Sequence, residues 1–234
     1  MTHLSTNQPD GTPTWIDLGI PDLDAAMRFY AGVFDWTLEV GPAEYGSYTQ
    51  CLLGGRRVAA LVPNPNPDAV AFWWNVYLAC SDVQATVEKA RSAGAQVGLW
   101  QGRDHIGCEV VNEPGALVRN DLVAGDADAV RRFYAAVFGF RLDRNEDLPG
   151  LDLTFLRRPD GQEVGGIMGV PGSTTSAWHA TFEVADTDAT VARAVELGGT
   201  VSSPPETMIY GRIATLTDPA GAEFSLVARA TSAP

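Results

Sequence analysis

Residues 17–36 and 121–140 are two versions of one segment. The first reads D-L-G-I-P-D-L-D-A-A-M-R-F-Y-A-G-V-F-D-W and the second D-L-V-A-G-D-A-D-A-V-R-R-F-Y-A-A-V-F-G-F, at an offset of 104 residues. A second pair, 74–87 and 178–191, keeps the same offset. An internal repeat constrains architecture more than any single motif, because each copy must be a unit that packs against its neighbours. Every unit begins with a short apolar run, then an Asp, then a helical pattern. Four modules result, beginning near Trp15, Trp73, Leu117 and Ala177.

At 234 residues the repeat implies two domains of roughly 100 residues, each large enough to bury a core. The net charge of −13 argues against a nucleic-acid partner, whose phosphates it would repel. No 18-residue apolar run and no secretory leader is visible, which implies no membrane partner and a cytoplasmic location. Cys51, Cys80 and Cys108 are odd in number and lack C-x-x-C spacing, so they read as reduced thiols. Met1 to Pro13 is polar and reads as a flexible tail.

Asp22 is a plausible N-cap for a helix ending near Phe34, with Leu23, Ala26, Met27, Tyr30, Val33 and Phe34 on one face. Strands follow near 37–40, 48–53 and 57–62, with Gly54-Gly55 as the hairpin turn, and the Pro-rich run 63–67 as a connector. The order is β-α-β-β-β. The third module repeats it with Asp126 as the cap and Pro159-Asp160-Gly161 as the turn. The fourth has a helix from Asp186 to Leu197, then strands near 200–202, 212–217 and 223–227. The second is short. Gly98-Leu99-Trp100 best matches Ser225-Leu226-Val227, so the equivalent of 202–224, most of the last hairpin, is absent. The division expected is a tail at 1–13, an incomplete first domain at 14–101, a connector at 102–116 and a second domain at 117–229.

Paired modules carrying D-x-D-x-A-x-x-F-Y-x-x-V-F-G-F after the first strand resemble the vicinal oxygen chelate superfamily, which includes glyoxalase I, bleomycin-resistance proteins and extradiol dioxygenases. The resemblance covers about residues 14–228. It implies an α+β fold in which tandem βαβββ modules pair into two cup-shaped domains that hold a ligand. In metal-dependent members, two His and a Glu from the strands hold a divalent ion. Carried over, these positions are Trp15, Asn75 and Gly98 in the first cup, and Arg119, His179 and Ser225 in the second. A guanidinium at a ligand position repels a dication, so the expectation is no metal and no cofactor. No phosphate-binding or nucleophile-elbow motif is present, which leaves nucleotide-dependent and triad mechanisms without support.

Activity is therefore expected in the C-terminal cup, with His179 and Arg119 as the catalytic pair. Asp121, Thr181, Glu183, Glu223 and Ser225 share strand parity with them, or stand at a carried-over position, and are expected to bind ligand. The structural alternatives are His179 hydrogen-bonded to Glu183 or Thr181, and Arg119 bridged to Asp121 or Glu223. The Arg pairs 56–57, 131–132 and 157–158 read as solvated faces and turns. Trp15 is expected to plug the first cup. Three functions fit: metal-independent acid–base conversion of a small organic molecule, sequestration of a drug or metabolite, or metal-dependent lyase or dioxygenase chemistry. The missing hairpin would leave apolar surface and an open strand edge, to be covered by the other domain or by a second copy in a homodimer.

Overall fold

Four aspartates start the four helices. Asp22, Asp82, Asp126 and Asp186 each accept a hydrogen bond from the backbone N–H three residues on, at 2.9–3.0 Å. The computed structural model describes residues 2–66, 68–146, 150–174 and 176–230. Pro67 of the Pro-rich connector and Met1 of the tail lie outside these. A short strand β1 (Thr2–His3) precedes the first module: β2 (Pro13–Ile20), α1 (Leu23–Phe34), β3 (Thr37–Val40), β4 (Thr49–Leu53) and β5 (Arg56–Pro63). The second holds β6 (Trp74–Ala79), α2 (Val83–Ser92) and β7 (Gly98–Trp100), and β8 (Val110–Val111) lies in the connector. The third runs β9 (Leu117–Ala124), α3 (Ala127–Phe138), β10 (Arg141–Arg144), β11 (Leu153–Arg157) and β12 (Glu163–Gly169). The fourth runs β13 (Ser176–Glu183), α4 (Thr187–Glu196), β14 (Thr200–Met208), β15 (Gly211–Thr217) and β16 (Glu223–Arg229).

The C-terminal sheet has the order β10-β11-β12-β9-β13-β16-β15-β14 and the N-terminal sheet β3-β4-β5-β2-β6-β7. Thr181 stands opposite Ser225 across β13 and β16, and Tyr77 opposite Gly98 across β6 and β7, both parallel. Tyr77 and Thr181 are duplicate positions, so Gly98 occupies the place of Ser225. Among the described residues, the smaller sheet has no counterparts of β14 and β15. The final hairpin also differs from expectation in length: β14 continues to Met208 through Pro204-Pro205, which edge position tolerates because no further strand needs their N–H groups.

Alternation along each strand separates two faces. Ile16, Leu18 and Ile20, like Ala180 and Phe182, join the helices in one continuous core; Trp15 packs in a separate cluster. Helix α1 packs on α4 and α2 on α3, so the helix-covered sides of the two domains meet. Phe34, Trp36 and Trp74 from the first domain enclose Phe182 of the second at ring separations of 4.7, 5.8 and 5.5 Å. A polar bond crosses the same boundary, Tyr30 Oη donating to Asp218 Oδ2 at 3.1 Å, and Trp36 Nε1 donates to the Gly115 carbonyl of the connector at 2.7 Å. The two concave faces thus point away from each other.

Part of the first sheet is crossed by a strap of the connector. The Cys108 N–H donates to the Thr14 carbonyl at 2.7 Å, and Glu109 N–H to the Arg57 carbonyl at 2.7 Å. Gly107 passes so close that a Cβ there would lie 2.3 Å from the Thr14 carbonyl oxygen, at a φ of +97°. Trp15 is fully buried against Trp100 and His105, with centroids 5.6 and 4.5 Å away. It fills one end of the cup, beneath this strap. The segment read as a flexible tail is held by the same scaffold. β1 pairs antiparallel with β8, Gly11 N–H donates to the Ala79 carbonyl, and Asp10 accepts from Ser81 N and Oγ at 2.8 Å. The strap and the N-terminal segment cover Trp15 from within the chain, and β7 stays the half-buried edge strand of its sheet.

Candidate functional site

β9 and β13 run antiparallel down the centre of the C-terminal cup. Their register sets His179 opposite Asp121 and Thr181 opposite Arg119. His179 Nε2 lies 2.8 Å from Ser225 Oγ, which lies 2.8 Å from Thr215 Oγ1. On the other side of the ring, Nδ1 is 3.5 Å from Glu223 Oε1. Burial disfavours the imidazolium and pulls the His179 pKa below its ordinary value, and the charges of Glu223 and Asp121 oppose this only in part. At neutral pH the ring is therefore neutral. Neither sequence-based alternative for His179 holds, because its partners are Ser225 and Glu223.

Arg119 donates from Nε to Asp121 Oδ2 at 2.7 Å and from Nη1 to Glu163 Oε1 at 2.8 Å. The network continues across the sheet. Glu163 Oε2 accepts from Arg157 at 3.2 Å, Arg157 Nε donates to Asp143 at 2.5 Å, and Asp143 accepts from Arg141 at 3.1 Å. The Arg119 guanidinium also covers the Phe155 ring, 5.6 Å from its centroid. Its Nη2 forms no hydrogen bond among the described residues and stays available to an oxygen of a ligand. β12 gives way at this point: a Cβ on Gly166 would sit 2.7 Å from Asp121 Oδ1.

Thr181 and Ser225 are buried on this floor beside His179, and Glu223 is half exposed at its margin. Glu183 is elsewhere. Its carboxylate pairs with Arg229 at 2.6 Å, and its backbone bonds the connector at Gly115 and Ala116, so it braces the far end of β13. Arg157 belongs to the concave network and Arg158 is buried against Asp160 and Thr12, which corrects the reading of that pair as a solvated turn. Arg131 is likewise held by Asp128 and Asp152. Glu163, Asp143 and Thr215 escaped sequence reasoning. Their signal was the alternate-residue parity of β10, β12 and β15, legible only once those strands are placed side by side.

A divalent ion does not fit this donor set. One imidazole is hydrogen-bonded to a hydroxyl, one position is a guanidinium and one is Ser225. Among the described residues no group of three or more His, Cys, Asp or Glu is placed to hold a metal. The first cup offers Trp15, Asn75 and Gly98 at the equivalent positions, which supply no carboxylate or imidazole.

Residues 12–116 match the family described as Glyoxalase/Bleomycin resistance protein/Dioxygenase superfamily, and residues 118–227 the family described as Glyoxalase-like domain. Curated relatives include CFP32 of Mycobacterium tuberculosis, whose name proposes a glyoxylase, at 36% identity over 93% of this chain and 94% of the relative. The anthracycline biosynthesis protein DnrV of Streptomyces peucetius is 32% identical, with 93% of each chain covered. Among solved structures, the Mn(II)-bound glyoxalase of Novosphingobium aromaticivorans aligns with a TM-score of 0.59 at 16% identity, covering 96% of this chain and 87% of that one. The 2,2',3-trihydroxybiphenyl 1,2-dioxygenase of Sphingomonas wittichii aligns with a TM-score of 0.61 at 15% identity, covering 94% and 90%. These distant likenesses show the shared fold.

Proposed function

Because the chain belongs to the glyoxalase/bleomycin resistance/dioxygenase superfamily, we propose that it binds a small carbonyl-bearing organic molecule in the C-terminal cup and converts it by metal-independent acid–base chemistry. The observation that carries this reading is the chain His179–Ser225–Thr215, which fixes a neutral imidazole on the cup floor where relatives would seat a metal ligand. With Nε2 held by Ser225, Nδ1 is the ring atom left to exchange a proton. Glu223 beside it stabilises the imidazolium that forms. Arg119 Nη2 supplies positive charge to a developing oxyanion, the role a metal plays elsewhere. Its other nitrogens are bound to Asp121 and Glu163, so the charge is rigidly placed and partly neutralised. The proton taken by His179 is returned to a neighbouring atom in an isomerisation, or a leaving group departs in an elimination. The names of CFP32 and DnrV both suit a ligand bearing carbonyl oxygen.

The test uses chelator-treated protein with two probes, the hemithioacetal of methylglyoxal and glutathione, and an anthracycline ketone. Turnover by wild type and a fall of about 10²- to 10⁴-fold in His179→Gln, with binding retained, is the expected result. Activity lost on chelation and restored by a divalent metal would overturn metal independence. Binding without turnover on either probe would favour the sequestering function instead.

A further inference from the structure

The duplicate of Asp121 is Asp17, and the two carboxylates live in opposite electrostatic surroundings. Asp121 has its own arginine two residues earlier, at 2.7 Å. At the equivalent position the first cup has Trp15, fully buried. Asp17 is itself only 6% exposed. Its Oδ2 accepts from Tyr48 Oη and Tyr77 Oη, each at 3.1 Å, and its Oδ1 from Asn75 Nδ2 at 2.9 Å. All three donors are neutral. No ion pair among the described residues includes Asp17, and the cation on the neighbouring strand, Arg57, is committed to Glu109 at 3.0 Å.

This carboxylate, without a cationic partner among the described residues, lines a cavity of about 810 Å³, a size ordinary for a ligand site. Asp17, Asn75 and Tyr77 form its polar end. Val62, Phe72 and Trp73 contribute its apolar walls, and Trp73 is 55% exposed at the rim. One acceptor position of Asp17 Oδ1 is still open after Asn75, because a carboxylate oxygen takes two donors. An anion is repelled here. A divalent metal finds one carboxylate, an amide and two phenols. Burial first, and the Asp17 charge second, drive both phenol pKa values well above the usual tyrosine range, so the phenols stay protonated and are poor ligands.

We propose that the N-terminal cup is a second binding site, selective for an organic cation that points an ammonium group at Asp17 and rests an apolar or aromatic body on Phe72 and Trp73. Packing of the apolar body on the exposed indole and the charge of Asp17 act together on such a ligand. The site shares no side chain with the His179 cup; the backbone of Trp73 bridges that of Glu223 at the margin of the other cup.

The experiment titrates the whole protein with three probes of one shape: 2-phenylethylammonium, 2-phenylethanol and phenylacetate. Tryptophan fluorescence and ligand-observed saturation-transfer NMR report binding. The ammonium is expected to bind at least about tenfold more tightly than the alcohol, with phenylacetate weakest. Asp17→Asn and Trp73→Ala should each weaken ammonium binding about tenfold or more, and His179→Gln should leave it unchanged. The affinity order is measured on the wild type, so the result stands even where Asp17→Asn unfolds. Equal affinity for the three probes, no saturable ammonium binding at millimolar concentration, or loss in His179→Gln with Trp73→Ala unaffected would overturn the proposal.

Discussion

Replacing Phe182 by Ala tests whether the two domains are one cooperative structure. Phe182 is fully buried and touches aromatic rings from both halves of the chain. A buried phenylalanine removes about 150–250 Å² from water, worth about 4–6 kcal/mol at roughly 25 cal/mol per Å², of which alanine retains a small part. Phe→Ala changes in packed cores cost about 3–5 kcal/mol, and four surrounding rings leave the site little room to collapse. A loss of about 4 kcal/mol follows. For a chain of this length each kcal/mol moves the melting temperature by about 2–4 °C, so the midpoint should fall by about 8–16 °C. Phe182→Leu, which keeps most of the volume, should lose less than about 1.5 kcal/mol. Thermal unfolding followed by far-UV circular dichroism and by tryptophan fluorescence is the assay. Five of the six tryptophans (Trp15, Trp36, Trp73, Trp74 and Trp100) are in the first domain, whereas the substitution is in the second. Coincident curves, both shifted, are expected. Two separated transitions, with the fluorescence midpoint unmoved, would refute a shared core.

Arg119→Ala should abolish ligand binding in the C-terminal cup by calorimetry; because Arg119 is one-third exposed, the stability cost of stranding Asp121 and Glu163 should stay near 1–2 kcal/mol, and unchanged binding would reject its role. Acidification should destabilise the fold through His179 and His105, both of which burial holds below the ordinary pKa. Unfolding binds protons there, so their contribution is present above about pH 6.5 and is lost as pH falls through the lower folded values. Urea midpoints at pH 7 and pH 5 should differ less in His179→Asn than in wild type. Gly107→Ala should lift the strap from the first cup, since its Cβ collides with the Thr14 carbonyl; Cys108, now 1% exposed with its thiol pKa pushed up to about 12 by burial, should become reactive to a thiol reagent.

The helices were legible because their determinants are local. The cap Asp22 and the spacing Leu23, Ala26, Met27, Tyr30 lie within one turn or two of each other, and α1 spans Leu23–Phe34 as the pattern requires. The register of β7 against β6 was legible because the duplicate supplied an internal template. The strap was not. Cys108 and Gly107 meet Thr14 across more than 90 residues of chain, and nothing in the polar composition of 101–109 announces a role in crossing a sheet. Neither was the ordering of the N-terminal segment, whose partners at Val110 and Ala79 are equally remote. At the candidate site, parity placed His179, Asp121, Thr181 and Arg119 together. It misplaced Glu183, because the register of β13 against β9 shifts after Thr181 and the strand's end turns to Arg229. Asp17 and Asp121 look identical in sequence, and only their surroundings separate a paired carboxylate from an unpaired one.

The sharing of aromatic rings between the halves bears on how the protein is made. When the first hundred residues have left the ribosome, Trp36 and Trp74 have no Phe182 to cover them, and the partners of residues 2–4 have not emerged. The nascent first domain therefore stays unfinished, with its greasy side exposed, until the segment around Phe182 emerges. Chaperone demand should fall on that interval, and a stop codon in the second half should yield an insoluble fragment rather than a smaller working protein.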